Sequence, residues 1–411
     1  MHTLYKKAGR LIMLPGLTFL MLSLVLAACG QATTSSSGAT SSTTTPTNVV
    51  QVPTATAGST PTTATTGSSS PSNEKTVPLT AIRMVDSNNG WALTASSILK
   101  TSNGGSTWQD VSPANAEINT AAQGDFLNGQ IAWVAIPTAP QTGKSVLVWR
   151  TTDGGQSWQS TIINDLNSAA IDVPHFLNAQ QGWLAVSGTP GAGNIGTDIW
   201  HSTDGGATWT QIQKTGSFLP YPAGISYENA QTAIVAGNVG AYAQTNSVPG
   251  VSVSHDGGKT WKIQFLDLPQ GVSGANVSAV ETTPPVFFGN VAFLPVFISM
   301  KNAADDQFVL YRSNNSGQTW FQTRPANINA ASSAVYVLDI SHAWATDTTT
   351  GKLYNTIDGG TDWFPTANTP YNFIHLSFTD LNNGWGLTKT ALYHTTDSGK
   401  TWQQVAYSIQ H

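Results

Sequence analysis

Seven times along the chain an Asp or Asn stands two residues after a Ser or Thr, directly before a Gly-rich pair and five residues before a Trp. These boxes are TSNGGSTW (Asn103, Trp108), TTDGGQSW (Asp153, Trp158), STDGGATW (Asp204, Trp209), SHDGGKTW (Asp256, Trp261), SNNSGQTW (Asn315, Trp320), TIDGGTDW (Asp358, Trp363) and TTDSGKTW (Asp397, Trp402). Carboxylates among hydroxyls and turn carbonyls are what calcium selects, and paired carboxylates can hydrolyse glycosides. The calcium chemistry fails on residue type. Asn103 and Asn315 lack the charge a hard cation needs, and no bidentate Glu follows any copy. The same residues suit a sharp turn: the short side chain accepts from backbone N–H groups two residues on, and Gly supplies positive φ without steric cost. The closing Trp should bury its ring and place its N–H on an acceptor. No metal or cofactor is expected.

Such turns need strands to hold them. A short alternating segment precedes each box, as in VLVWR ending at Arg150, FVLYR ending at Arg312 and ALYH ending at His394. Further upstream lie MVDSNNGWAL around Trp91, FLNGQIAWVA around Trp133, FLNAQQGWLA around Trp183 and FTDLNNGWGL around Trp385, each readable as two strands joined by an Asx/Gly turn. Successive box tryptophans are 50, 51, 52, 59, 43 and 39 residues apart, a period typical of propeller blades. Four strands per repeat, seven repeats and no convincing helix after the N-terminus predict an all-β chain, a seven-bladed β-propeller. Of the 14 tryptophans, seven close boxes and five (Trp91, Trp133, Trp183, Trp344 and Trp385) fall on second strands. Most tryptophans are therefore core, leaving Trp149 and Trp200 as the only ones to weigh as a sugar platform.

The box resembles the BNR or Asp-box repeat of sialidases, sortilin-type receptors and some endoglucanases. Joined to the upstream F-x-D/N…GW pair, it looks most like the photosystem II assembly and stability factor family of bacterial lipoproteins. The resemblance covers residues 79–405. It implies a propeller, and leaves function open because one fold hosts many activities.

The first residues bear on location. Lys6, Lys7 and Arg10 precede an apolar run over residues 11–28 and then Cys29 within LAAC, the order of a secretory signal. This resembles the bacterial lipobox, which implies that Cys29 becomes the acylated first residue of a lipoprotein anchored to the membrane on its extracytoplasmic side. A run of about 18 apolar residues also approaches the length of a spanning helix, the alternative reading. MHTLYKKAG resembles a recombination-cloning scar, in which case translation starts at Met13. Cys29 is the only cysteine, so no internal disulfide can form. Residues 31–76 are rich in Ser, Thr, Ala, Gly and Pro and bury too little to offset their ordering entropy. The expected organisation is a signal peptide over residues 1–28, a disordered tether over residues 29–76 and a propeller over residues 77–411. The tether has a reach of about 35 to 40 Å.

Charged residues make up only 9% of the chain, and removing Lys6, Lys7 and Arg10 takes the formal charge from −5 to −8. That balance excludes a basic nucleic-acid surface. A sialidase-type site would need three arginines around a carboxylate. Past the signal there are only Arg83, Arg150, Arg312 and Arg324, two of them beside boxes, and the glutamates are Glu74, Glu117, Glu228 and Glu281. A non-catalytic, monomeric binding or assembly scaffold for an envelope protein or glycan is expected, with a glycan-binding or sialidase-type hydrolase as the alternative. Scarce arginines also set the chain apart from assembly factors that act through an arginine-rich surface, as the resemblance implies.

The repeats disagree in one place. Loops between second and third strands, opposite the boxes, are long in repeats two to five: PTAPQTGK, SGTPGAGNIGTD, GNVGAYAQTNSVPG and SMKNAADDQ. Long loops grouped on one edge are usually functional, neutral drift in length being the alternative. Tyr221, Tyr242, Lys301, Asp305 and Asp306 are the candidate partner contacts. For the N-terminus, Cys29→Ala should leave unprocessed precursor in cells. Normal processing of that variant would contradict lipidation.

Overall fold

The computed structural model describes residues 77–138, 145–165, 170–189, 195–213, 221–238, 248–366 and 370–411. Cys29, the proposed tether and Tyr242 lie outside them. The described chain forms seven antiparallel sheets in sequence order, the blades of a β-propeller. Blade 1 comprises Ala81–Met84, Gly90–Leu93, Ile98–Thr101 and Thr107–Asp110, and blade 2 comprises Gln123–Phe126, Ala132–Pro137, Ser145–Thr151 and Gln159–Asn164. Blade 3 has a split innermost strand, Ala170–Ile171 and His175–Phe176, followed by Gly182–Ser187, Thr197–Ser202 and Thr210–Gln213. Blade 4 begins at Tyr221–Tyr227, blade 5 at Val277–Thr282, blade 6 at Ala330–Val337 and blade 7 at His375–Phe378.

The core is seven slabs, one between each pair of neighbouring blades. Trp385 and Leu392 of blade 7 pack on Ile82 and Met84 of blade 1, while Trp91 packs on Phe126 and Val134. The same pattern continues around the ring to Trp344 and Leu353 of blade 6, which pack against Phe373, Leu376 and Phe378 at the start of blade 7. Each second strand lies between two slabs, so all four residues of Gly90–Leu93 and of Gly384–Leu387 are buried. That is why these strands read as apolar runs.

One aromatic position organises the slabs. Trp133 stacks on Phe176 with ring centroids 3.6 Å apart, Trp183 on Tyr227 at 3.7 Å and Trp344 on Phe378 at 3.7 Å, each pair joining adjacent blades. Buried indole N–H groups then reach forward. Trp133 donates to the Gly205 carbonyl at 2.7 Å, Trp344 to Ser398 at 3.0 Å and Trp385 to Gly104 at 2.9 Å, so that blade 7 grips blade 1 as blade 2 grips blade 3 and blade 6 grips blade 7.

Closure uses one strand more than the repeat count predicts. Ser408–Gln410 adds to the outer edge of blade 1, parallel to Thr107–Asp110, as a fifth strand. Ile409 packs into the slab between blades 7 and 1, and the Tyr407 hydroxyl donates to the Val77 carbonyl at 2.9 Å. The two ends of the described chain are thereby pinned to one blade.

The indole grip predicts a difference between two equally buried tryptophans. Trp133→Phe forfeits a buried hydrogen bond, whereas the Trp183 N–H has no partner among the described residues to lose. Denaturant unfolding should show Trp133→Phe to be more destabilising than Trp183→Phe by about 1 to 2 kcal/mol. Equal losses would contradict the inter-blade hydrogen bond.

Candidate functional site

The seven boxes lie between third and outermost strands, all on one face. Their heads are Thr101, Thr151, Ser202, Ser254, Ser313, Thr356 and Thr395, whose hydroxyls each do two things. Each donates to the Asp or Asn side chain at 2.8 to 3.0 Å, and each accepts the N–H of the fifth box residue at 2.7 to 3.0 Å. Asn103, Asp153, Asp204, Asp256, Asn315, Asp358 and Asp397 in turn accept an N–H four residues on, at 2.8 to 3.0 Å. This corrects the expected spacing of two, which belongs to the hydroxyl: it also accepts the N–H two residues on, for example from Asp204 at 3.4 Å.

Backbone geometry explains the glycines. The fourth residue has φ between 59° and 77°, within reach of an L-residue, and Ser316 and Ser398 occupy it in two boxes. The fifth has φ between 81° and 92° and is always Gly. A Cβ there would come within 3.3 Å of a side chain of the preceding blade, such as Trp133 for Gly206 and Leu310 for Gly360. The fourth residue's N–H donates to the turn between the first and second strands of its own blade, as Gly154 does to Gln130 at 2.8 Å. Each box therefore ties its blade together and seats it on the one before.

The closing tryptophans divide. Trp108 and Trp402 are buried, whereas Trp158, Trp209, Trp261, Trp320 and Trp363 are half-buried. Trp158, Trp209, Trp261 and Trp402 donate to carbonyls, but the N–H groups of Trp108, Trp320 and Trp363 have no acceptor among the described residues, against expectation. Trp149 and Trp200 are half-buried and pack against inter-blade slabs, Trp200 donating to Asp165 at 2.7 Å. Neither forms an open sugar platform.

The carboxylates of these boxes are committed to their turns. Hydrogen bonds from Ser157 and Thr151 hold Asp153 at about 2, against the ordinary 3.8. For Asp204, partial burial pushes upward but the Thr208 and Ser202 hydrogen bonds win, again at about 2. Among the described residues no cluster of three His, Cys, Asp or Glu could hold a metal. The arginines are equally dispersed. Arg150 donates to the Asp204 carbonyl at 2.9 Å, Arg312 lies 5.5 Å from the Phe293 ring, and Arg324 pairs with Asp362 at 2.6 Å.

On the opposite face, Lys301, Asp305 and Asp306 sit in the exposed loop between the second and third strands of blade 5. Asp306 accepts from the Met300 N–H at 2.7 Å and Asp305 from the Asn302 side chain at 3.0 Å, so both partly shape the loop itself. Tyr221 is not a loop residue: it opens the innermost strand of blade 4, paired with Asn238.

Sequence reading missed the lumen. Opposite the second-strand aromatics, and opposite Ile234 in blade 4, the innermost strands place Arg83, Asp125, His175, Ser226, Val286, Tyr336 and Ser377 at equivalent register positions. Four reach the next blade: Asp125 accepts from the Phe176 N–H at 2.7 Å, Ser377 from Met84 at 2.9 Å, Tyr336 donates to the Phe378 carbonyl at 2.7 Å, and His175 contacts the Tyr227 carbonyl at 3.3 Å. Arg83 donates to the Tyr336 hydroxyl at 2.6 Å. Burial raises Asp125 to about 6 against the pull of the Phe176 N–H and the Arg83 charge, while burial and Arg83 lower His375 to about 4. Aligning the repeats by strand register would have exposed this ring, since no turn motif marks it.

Two cavities open toward the starts of the innermost strands, away from the boxes. One of about 670 Å³ lies at the axis, lined by Arg83, Leu93, Thr120, Asp125, Val173 and His375 among others. The other, about 230 Å³, lies between blades 3 and 4.

No protein-family model matches the chain, and neither does any curated protein sequence. Solved propellers do. YCF48 bound to D1 peptide is similar with a TM-score of 0.53 and 16% identity, over 79% of this chain and 93% of that one. YCF48 from Cyanidioschyzon merolae gives 0.53 and 18%, over 78% and 96%. The GH74 xyloglucanase from Xanthomonas campestris gives 0.55 and 13%, over 79% of this chain and 53% of its own. At such identities the likeness shows the fold.

The box geometry predicts that Asp204→Ala costs about 1 to 2 kcal/mol at neutral pH, and Asp204→Asn less. Asn103 and Asn315 make the same bond at 2.9 Å. Because the folded carboxylate titrates at about 2, below its unfolded value, its contribution is full above the ordinary carboxylate range and is lost as pH falls through 2. The Asp204→Asn deficit should therefore shrink on acidification from pH 4, with calcium leaving the melting temperature unchanged. A calcium-dependent rise would contradict the turn assignment.

Proposed function

We propose that this propeller is a non-catalytic binding or assembly module, carried outside the cytoplasm on a lipidated Cys29, which holds a polypeptide segment of an envelope partner on the face opposite the boxes. The observation that carries the reading is the division of labour between the faces. The box face spends its polar groups on turns, and its groove of about 660 Å³ between blades 1 and 2 is walled by those turn residues, while the other face has a cavity of about 670 Å³ at the axis. YCF48, a propeller of the same fold, is recorded with a peptide bound, so the architecture is compatible with that use.

One observation favours a glycan-hydrolysing alternative. Asp125 is raised to about 6 and Asp172 to about 7, the direction a general acid needs, and a xyloglucanase shares the fold. Against it, Asp125 already accepts the Phe176 N–H at 2.7 Å and serves as an inter-blade clasp.

The test is capture of partners from envelope membranes by the intact protein, by Thr120→Trp, which would fill the axial mouth from an exposed position, and by a version with the 299–307 loop shortened. Partners retained by the intact protein and lost from both variants are expected. Unchanged capture by both would contradict the assigned face, and turnover of a β-glucan or sialoside would overturn the non-catalytic reading.

A further inference from the structure

The cavity between blades 3 and 4 is built around one carboxylate. Its lining is mostly apolar: Ile171, Ile195, Ile199, Pro222, Ile225 and Val235 form its walls, with Asp172 the only titratable residue among the lining side chains. Most acidic side chains near this fold's turns collect several donors. Asp172 is half-buried, and among the described residues its carboxylate is answered by the Ile225 backbone N–H, with no cation beside it. A carboxylate held in apolar surroundings without a counter-charge costs stability, and the strand pairing itself does not need it, because the Asp172 backbone N–H alone continues the pairing to Ala185 at 3.1 Å.

The backbone of blade 4 comes close to that carboxylate at the edge of the cavity. The pairing between the first two strands of blade 4 shifts register between Pro222 and Gly224, a bulge that places Gly224 at φ +138°. A Cβ on Gly224 would stand 2.7 Å from Asp172 Oδ2 and would also strike the Pro284 ring. Bulges of this kind re-aim local groups and recur beside binding sites. Ser187 and Thr197, whose hydroxyls lie 3.0 Å apart, line the same cavity and retain acceptor lone pairs.

We propose that this cavity is a slot for one primary alkylammonium, such as a lysine side chain, with Asp172 as its counter-ion. The apolar walls suit a four-carbon stem, and the carboxylate and hydroxyls suit the three N–H donors at its end. A volume of about 230 Å³ falls below the ~300 to 1,000 Å³ of sites for drug-sized ligands, and fits one side chain or a small amine. Val173, the next residue, lines the axial cavity, so the slot lies beside the proposed binding face without depending on any partner for that face.

The experiment titrates Nα-acetyl-lysine methylamide and its uncharged counterpart Nα-acetyl-norleucine methylamide into the full chain, observed through isoleucine methyl resonances. The lysine derivative should perturb Ile171, Ile195, Ile199 and Ile225 and bind at least tenfold more tightly than the norleucine derivative. In Asp172→Asn, which keeps the shape and an acceptor for the Ile225 N–H, that preference should fall to near unity while the melting temperature holds or rises. Equal binding of the two probes, an undiminished lysine preference in Asp172→Asn, or a melting temperature lowered by that substitution would each overturn the slot. The last would make Asp172 a structural acceptor.

Discussion

Every blade depends on a hydroxyl that both donates and accepts. At the head of each box a Ser or Thr gives its proton to the Asp or Asn side chain and takes the N–H of a glycine four residues on. That second bond fixes the glycine near φ +90°, where no side chain is tolerated, and brings bare backbone flush against the preceding blade. The space a Cβ would need is filled by the neighbour's Trp, Leu, Ile or Val side chain. Turn chemistry and inter-blade packing are thus one interaction seen at two scales.

From that constraint follows an asymmetry between the faces. The box face cannot vary without loosening a slab, so all seven copies retain the head hydroxyl, the Asp or Asn and the fifth-position glycine. The other face carries the connections between second and third strands, which have no such duty and range from the four-residue turn at 388–391 to the longer loops of blades 2 to 5. The lumen stands between these extremes. Asp125, His175, Tyr336 and Ser377 differ in chemistry yet occupy one register position, because any polar side chain that reaches the neighbouring strand serves as a clasp, while Arg83 at the same position meets the Tyr336 hydroxyl instead.

How much of this was legible follows from locality. The boxes, the Asx turns and the second-strand tryptophans are encoded within a few residues, so the seven-bladed architecture could be read directly. Asp86, Asn128, Asn178 and Asp380 each accept the turn N–H groups that the FxD/N pattern implies. The closing strand Ser408–Gln410 was not legible, since it resembles no repeat and pairs with a segment some 300 residues away. Asp125 and Asp172 were hidden for the same reason: their meaning comes from Phe176, Ile225 and Gly224 on adjacent blades. Tyr221 looked like a loop residue because the strand it opens is longer than the innermost strand of blade 1, seven residues against four.

The central claim is that one face maintains the ring and the other does its work. A saturation mutational scan read simultaneously for folded abundance and for partner capture measures this directly. The account predicts that substitutions in the boxes lower both together, whereas substitutions lining the two opposite cavities and the 299–307 loop lower capture at unchanged abundance. Capture-specific losses confined to the box face, with the opposite face silent, would contradict it.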